Sequence, residues 1–247
     1  MSAAIITGGS RGIGRAIALK LAQIGFPVII NYLSREDAAK ELVETIQATG
    51  GKARHIQADI SKPEDHETLL TTARENFGGV SVLVNNAGIT RDNLLIRMSE
   101  EEWQAVIKTN LQGVIELSEK AITEMKVADK GKIINIASTV GVHGNAGQAN
   151  YATAKAALIS YTRIKARELM PKIQVNAIAP GLVKTDMTAG FDLTKLADTK
   201  LGGAAEPTDI AEAVAFLAQA SGNYITGQVI EVDGGLFLWS DVQALAY

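Results

Sequence analysis

One pattern restricts this chain more than any other: short runs of β-branched residues recur along it, each followed by a longer stretch whose apolar residues fall at helical spacing. Strand-length runs at Ala3–Thr7, Pro27–Tyr32, Ala53–Gln57, Val80–Asn85, Lys132–Ala137, Ile173–Ala177 and Gln228–Val232 alternate with helical stretches at roughly 12–25, 35–50, 64–78, 100–127, 150–169 and 207–220. Parallel strands need a crossover between them, and a helix is the usual one. The rhythm therefore predicts the α/β class, with a single doubly wound parallel sheet of about seven strands and helices on both faces. Unbroken apolar runs such as Val82, Leu83, Val84 and Ile133, Ile134 suit strands buried on both sides.

The 247 residues suffice for one large core, and no stretch has the composition of a linker, so a single domain over 1–247 is expected. Pro207 after Glu206 marks a helix start. The stretch at about 185–205 carries glycines and no clear strand; lying after the Ile173–Ala177 strand, it is a candidate substrate lid beyond the C-terminal edge of the sheet. Acidic and basic residues are interspersed and the formal net charge is −3, which argues against a nucleic-acid partner or a polybasic membrane contact. The absence of cysteine excludes disulfides and thiolate metal sites, and no metal is expected. Met1 leads almost at once into the apolar run Ala3 to Ile6 without a charged leader, and no apolar stretch is long enough to span a bilayer. The expected setting is the cytoplasm.

The first strand runs straight into Thr7-Gly8-Gly9-Ser10-Arg11-Gly12-Ile13-Gly14, followed by a helix with Ile13, Ile17 and Leu21 on one face. Glycines there permit a tight turn and let backbone N–H groups approach a pyrophosphate at the positive end of the helix. A turn that merely joins strand to helix is the plainer alternative, and the motif's place after the first strand of an alternating pattern weighs against it. Sites for NAD usually carry a carboxylate near the end of the second strand. Here that stretch reads Asn31-Tyr32-Leu33-Ser34-Arg35, with no acid to repel a 2′-phosphate. Arg11, Ser34 and Arg35 are available to bind one, so NADPH/NADP is favoured over NAD, unless the arginines are only solvated surface charges.

The strand ending at Ala137 delivers Ser138, and Tyr151 and Lys155 follow in Tyr-Ala-Thr-Ala-Lys on a helix. Residues four apart share a helix face, so phenol and ammonium point into one space. Reduction of a carbonyl by hydride needs a proton for the developing alkoxide, and a tyrosine beside a cation can give it. Ser138 would hold the carbonyl oxygen. Taken singly, Tyr-x-x-x-Lys can be a surface pair and a serine after a strand a helix cap; their joint occurrence behind a glycine loop favours chemistry.

Taken together, Thr-Gly-x-x-x-Gly-x-Gly at 7–14, Asn85-Asn86-Ala87-Gly88, Asn110, Ser138, Tyr151-x-x-x-Lys155 and Pro180-Gly181 resemble the motif set of the classical short-chain dehydrogenase/reductase family, over nearly the whole chain. The resemblance implies a Rossmann-like fold and adds residues that pattern alone does not assign. Asp59, with Ile60 beside it, is implied to meet adenine, and Asn86, Ala87 and Gly88 to line the adenosine side. Asn110 is implied to hold a water in a proton relay ending at Lys155. Pro180, Gly181, Val183 and Thr185 are implied to lie along the nicotinamide carboxamide.

The runs Asn85 to Leu95 and Gly144 to Tyr151 are further similar to those of the bacterial β-ketoacyl-[acyl-carrier-protein] reductases. That implies an NADPH-dependent reductase of a β-ketoacyl thioester on an acidic acyl carrier protein, working as a homotetramer in fatty-acid synthesis or a related polyketide or polyene pathway. A docking patch should be basic, and Lys126, Lys130, Lys132, Arg163, Arg167 and Lys172 are candidates. Three departures touch the substrate side and surfaces: a short segment between Met187 and Gly202, the turn Glu168 to Lys172, and an extension after Leu238. His143, close to Ser138 in sequence, is a candidate to face the substrate. The competing expectations are a reductase of acetoacetyl-CoA or a small ketone, and a non-catalytic cofactor-binding subunit of a hetero-oligomer, against which the intact Ser138, Tyr151 and Lys155 argue.

Overall fold

A computed structural model describes residues 2–190 and 201–237. The strands are β1 (Ala3–Ile6), β2 (Val28–Tyr32), β3 (Ala53–Gln57), β4 (Val80–Asn85), β5 (Gly131–Ile136), β6 (Ile173–Pro180) and β7 (Val229–Val232). They form one sheet in the order β3-β2-β1-β4-β5-β6-β7, and every neighbouring pair is parallel. The expected doubly wound, Rossmann-like α/β sheet is therefore present. Because β1 pairs with β2 on one side and β4 on the other, the winding direction reverses between β1 and β4, and the crevice above that point is where such sheets receive ligands.

The helices are α1 (Gly12–Gln23), α2 (Glu36–Ala48), α3 (Pro63–Phe77), α4 (Glu100–Ile107), α5 (Gly113–Val127), α6 (Val140–His143), α7 (Ala149–Leu169) and α8 (Pro207–Ala218). The period-2 alternation of the strands sorts the core into two layers. Ala4, Ile6, Val28, Ile30, Val82 and Val84 face α1, α2 and α8, where Ile17, Leu21, Leu42, Ile46, Ile210 and Val214 meet them. Ala3, Ile5, Ile29 and Leu83 face the other way, onto Leu69 and Leu70 of α3, Leu117 and Ala121 of α5 and Leu169 of α7. None of the described helices is long and apolar enough to cross a membrane.

Two differences from the expected elements matter. The stretch read as one helix over 100–127 is three segments, α4 and α5 being joined by a π-helical turn at Lys108–Gln112. β6 runs on to Pro180 because Ala179 and Pro180 pair with Glu231 and Val232 of β7. Helix starts obey local rules elsewhere. Ser99 Oγ accepts from Glu102 N at 3.1 Å while Glu102 Oε2 accepts from Ser99 N at 2.8 Å, a reciprocal cap that opens α4. Pro207 opens α8 as expected.

Candidate active site

The loop from β1 into α1 is shaped by its glycines. Gly8 and Gly12 have φ of +60° and +52°, a region that favours glycine. At Gly14 an added Cβ would lie 2.3 Å from Gly8 O and 2.6 Å from Asn86 Nδ2, so the loop closes onto the helix only without a side chain there. Arg11 precedes α1 with no side-chain cap, so the first N–H groups of α1 are left for a ligand. Ser10 and Ile13 complete the turn. An added Cβ at Gly12 would come within 3.3 Å of Thr185, across the cleft. The residues present thus fit a dinucleotide's pyrophosphate.

Buried amides hold this loop from below. Asn31, 2% exposed, accepts from Gly8 N at 3.1 Å and donates to Ala58 O at 2.8 Å, tying the turn to the ends of β2 and β3. Its side chain therefore sits beneath the loop as a brace. Thr7 Oγ1 accepts from Asn86 N and Ala87 N, and Asn86 Nδ2 donates to Thr7 O and Gly8 O. The strands β1 and β4 thereby present their terminal loops as one unit. Asp59 turns one carboxylate oxygen onto Ser61 N and Oγ, while Ile60 is buried against Val114, Leu158 and Tyr161.

At the outer end of this groove Ser34 and Arg35 follow β2. Arg35 pairs with Asp37 at 3.3 Å and Arg11 with Asp186 at 3.3 Å, both exposed. The β2 end itself carries no acid, yet two stand in the first turn of α2, Asp37 engaged with Arg35 and Glu36 with Lys40. Exposed pairs of this kind are worth about 0–1 kcal/mol, which a phosphate dianion can outcompete.

Ser138 leaves β5 and its Oγ accepts from Val140 N at 3.1 Å. Tyr151 lies in the first turn of α7, and Lys155, 3% exposed, is one turn further on. Lys155 Nζ stands 5.6 Å from the Tyr151 ring centroid and donates to Ile136 O at 2.7 Å. The structure thus brings the three expected residues together. Burial pushes the Tyr151 phenol up to about 12, the Ser138 hydroxyl pulling it part of the way back and Asp92 adding to the rise. Burial also lowers the Lys155 ammonium to about 8. At neutral pH the phenol therefore holds its proton.

Asn110 lies in the π turn, with Oδ1 accepting from Ile89 N and Nδ2 donating to Ile89 O, both at 2.8 Å. These hydrogen bonds clamp the loop after β4, next to Gly88, and none of them runs toward Lys155. On the far side Pro180 and Gly181 end β6; an added Cβ at Gly181 would meet Asp233 at 2.8 Å. Val183 bridges Ala205, so the two ends of the 185–205 segment are stapled together, and Lys184 pairs with Glu206. Residues 191–200 of the candidate lid, with most of its shortened part, and 238–247 with the extension lie outside the described residues.

Two surface expectations change. Lys132 donates to Leu217 O and Gln219 O at the end of α8 and is part-buried, so it belongs to the fold and not to a docking patch; Lys172, paired with Asp129, is exposed and stays available to one. Lys126, Lys130, Arg163 and Arg167 are exposed. His143 turns to β7 and the C-terminal segment, with Nε2 2.9 Å from Glu231 Oε2 and its ring stacked on Phe237 at 4.0 Å.

The sequence reading missed a buried polar chain beneath the site. Asn85 Nδ2 donates to Ser118 Oγ and Asn135 Oδ1, and Asn135 Nδ2 donates to Thr162 Oγ1, pinning α5 and α7 to the sheet. Asparagines inside otherwise apolar strands were the available signal. It also missed Asn150, which is fully buried beside Tyr151.

Comparison with known proteins agrees with this geometry. The family model described as short chain dehydrogenase matches residues 2–195. The 3-oxoacyl-[acyl-carrier-protein] reductase FabG of Staphylococcus epidermidis is 48% identical over 240 residues, covering 95% of this chain and 98% of that protein. The 3-oxoacyl-[acyl-carrier-protein] reductase of Synechocystis is 44% identical over 240 residues, covering 96% of this chain and 97% of that one. FabG of Vibrio cholerae is 44% identical over 240 residues, 95% of this chain and 97% of its own. With its sheet, glycine loop and Ser138, Tyr151 and Lys155 cluster in place, the chain belongs to the short-chain dehydrogenase family and is an oxidoreductase.

Proposed function

We propose that the protein reduces a β-ketoacyl thioester carried on acyl carrier protein to the β-hydroxyacyl thioester, with NADPH, in fatty-acid or related chain synthesis. The observation that carries the reading is the convergence of part-buried Tyr151 with Ser138 and Lys155 at the C-terminal end of β5. Relatives named for this reaction match nearly end to end. The cofactor supplies the hydride; everything else falls to this chain.

Ser138 and Tyr151 hydroxyls hold the ketone oxygen, and Tyr151 gives it a proton as negative charge develops there. Lys155, buried and anchored on Ile136 O, fixes the cation beside the phenol and supplies donors for ribose hydroxyls. Gly8 to Gly14 and Asn86 to Gly88 take the pyrophosphate and adenosine side, with Asp59 and Ile60 near adenine and Pro180 to Thr185 on the nicotinamide side. Arg11, Ser34 and Arg35 receive the 2′-phosphate, which is why NADPH is preferred. Asn31 and Asn110 act from behind, holding the glycine loop and the loop after β4. A homotetramer and a cytoplasmic setting go with this reading, and the exposed Lys126, Lys130, Arg163, Arg167 and Lys172 are the basic groups offered to an acidic carrier.

Steady-state reduction of acetoacetyl groups on carrier protein and on CoA, with NADPH and NADH, tests it. A higher specificity constant for the carrier-bound thioester with NADPH is expected. Equal constants for the two thioesters would remove the carrier, and a preference for NADH would remove the assignment of the 2′-phosphate site.

A further inference from the structure

Asn150 is wholly buried, and each end of its amide is used. Nδ2 donates to Arg91 O at 3.0 Å and to Glu102 O at 3.2 Å, and Oδ1 accepts from Tyr151 N at 2.7 Å. One side chain therefore joins the loop after β4, helix α4 and the first turn of α7. Its bond to Tyr151 satisfies one of the N–H groups that every helix start leaves without an intrahelical partner.

The usual device for that position is lacking here. Gln148, which precedes α7, makes no side-chain cap; its Nε2 donates instead to Asp92 Oδ2 at 2.8 Å, across the same junction. Asn93 N donates to Gly147 O at 2.8 Å and closes the contact from the other side. The turn bearing Tyr151 is thus held sideways, by the 91–93 loop and α4. Burial makes the Asn150 amide costly to leave unpaired, so the three segments are fixed as a set.

We infer that Asn150 is a positioning residue for the phenol of Tyr151: it transmits the placement of the 91–93 loop and α4 to the proton donor. The inference rests on Tyr151 being the donor in the proposed reaction. Asn150 touches no substrate and acts only through Tyr151. Displacement of a reacting group by about 1 Å can cost as much as ~100-fold in rate, whereas cofactor contacts at the glycine loop lie on other elements and stay unchanged.

The test is a double-mutant cycle with Asn150→Ala and Tyr151→Phe, run on whichever ketone the wild-type chain reduces, so that failure of the carrier-thioester reading leaves this test intact. Asn150→Ala should lower kcat at least about ten-fold while the NADPH dissociation constant stays within about two-fold, and Asn150→Ser should recover part of the loss. In the Tyr151→Phe background Asn150→Ala should change the residual rate by less than about two-fold, since there is no phenol left to place. An equal loss in both backgrounds, or an unchanged kcat in the single variant, would overturn the inference. So would failure of both Asn150 variants to fold, judged by circular dichroism, because the residue would then serve stability alone.

Discussion

Replacing Gly14 by alanine tests the cofactor loop at its tightest point. The new Cβ would stand 2.3 Å from Gly8 O, 2.6 Å from Asn86 Nδ2 and 2.9 Å from Gly8 C. Two of these are backbone atoms and cannot swing aside. Restoring the 3.4 Å of ordinary contact to Gly8 O requires loop and helix to part by about 1 Å. Overpacking of this kind costs about 1–3 kcal/mol, which lowers the melting temperature of a chain this size by roughly 2–12 °C. The larger effect falls on the ligand, because the N–H groups aimed at the pyrophosphate move by that same distance; NADPH affinity should fall at least about ten-fold. Fluorescence titration of NADPH gives the affinity and calorimetry the melting point. Gly25→Ala is the control: Gly25 has φ +95° with nothing within 4 Å of an added Cβ, so it costs backbone strain of about 1–2 kcal/mol and leaves NADPH affinity alone. If Gly14→Ala binds NADPH as the wild type does, or if Gly25→Ala weakens binding equally, the loop does not act as argued.

Lys155 sets up a conflict between stability and function. Moving its ammonium from 10.5 to about 8 costs the charged form about 3 kcal/mol. The folded pKa lies below the unfolded one, so the unfolded chain binds the extra proton between them and stability rises with pH through that window. Lys155→Met should therefore melt a few degrees higher than wild type at pH 7, lose that advantage above about pH 10, and lose reductase activity; an unchanged or lower melting point at pH 7 would contradict the burial cost. Tyr151, raised to about 12, has the opposite sign: its contribution to stability falls as pH rises from about 10 to 12. Arg35→Ala should raise KM for NADPH about ten-fold with little change for NADH, and Asp37→Ala, by freeing Arg35, should lower KM for NADPH. Parallel changes with both cofactors would show that this pair does not read the 2′-phosphate.

The sheet was legible because strands such as β1, β2 and β4 are largely apolar on both faces, so each such run stands out and only its ends are uncertain. β6 outran the expected end because Ala179 and Pro180 are held by β7, a pairing no local pattern contains. The π turn at Lys108–Gln112 was invisible, since its residues read as ordinary helix. At the site, the glycines and the Ser138, Tyr151 and Lys155 set were legible through spacing. The amides that position them were not. Asn31 stands in a stretch read as part of the cofactor site, but its role as a brace comes from a partner 23 residues away, and Asn150 acquires meaning only from a partner 59 residues away. Lys132 misled for the same reason, as its carbonyl partners lie 85 and 87 residues further on.

The central claim is that a protonated phenol on α7 delivers the proton to a ketone lying beside Ser138 and Lys155. Tyr151→Phe removes one oxygen and almost no volume, so NADPH binding by fluorescence should persist while single-turnover ketone reduction falls about a thousand-fold or more, at the upper end of what a positioned acid contributes. A variant that binds NADPH and still reduces the ketone at the wild-type rate would contradict the account.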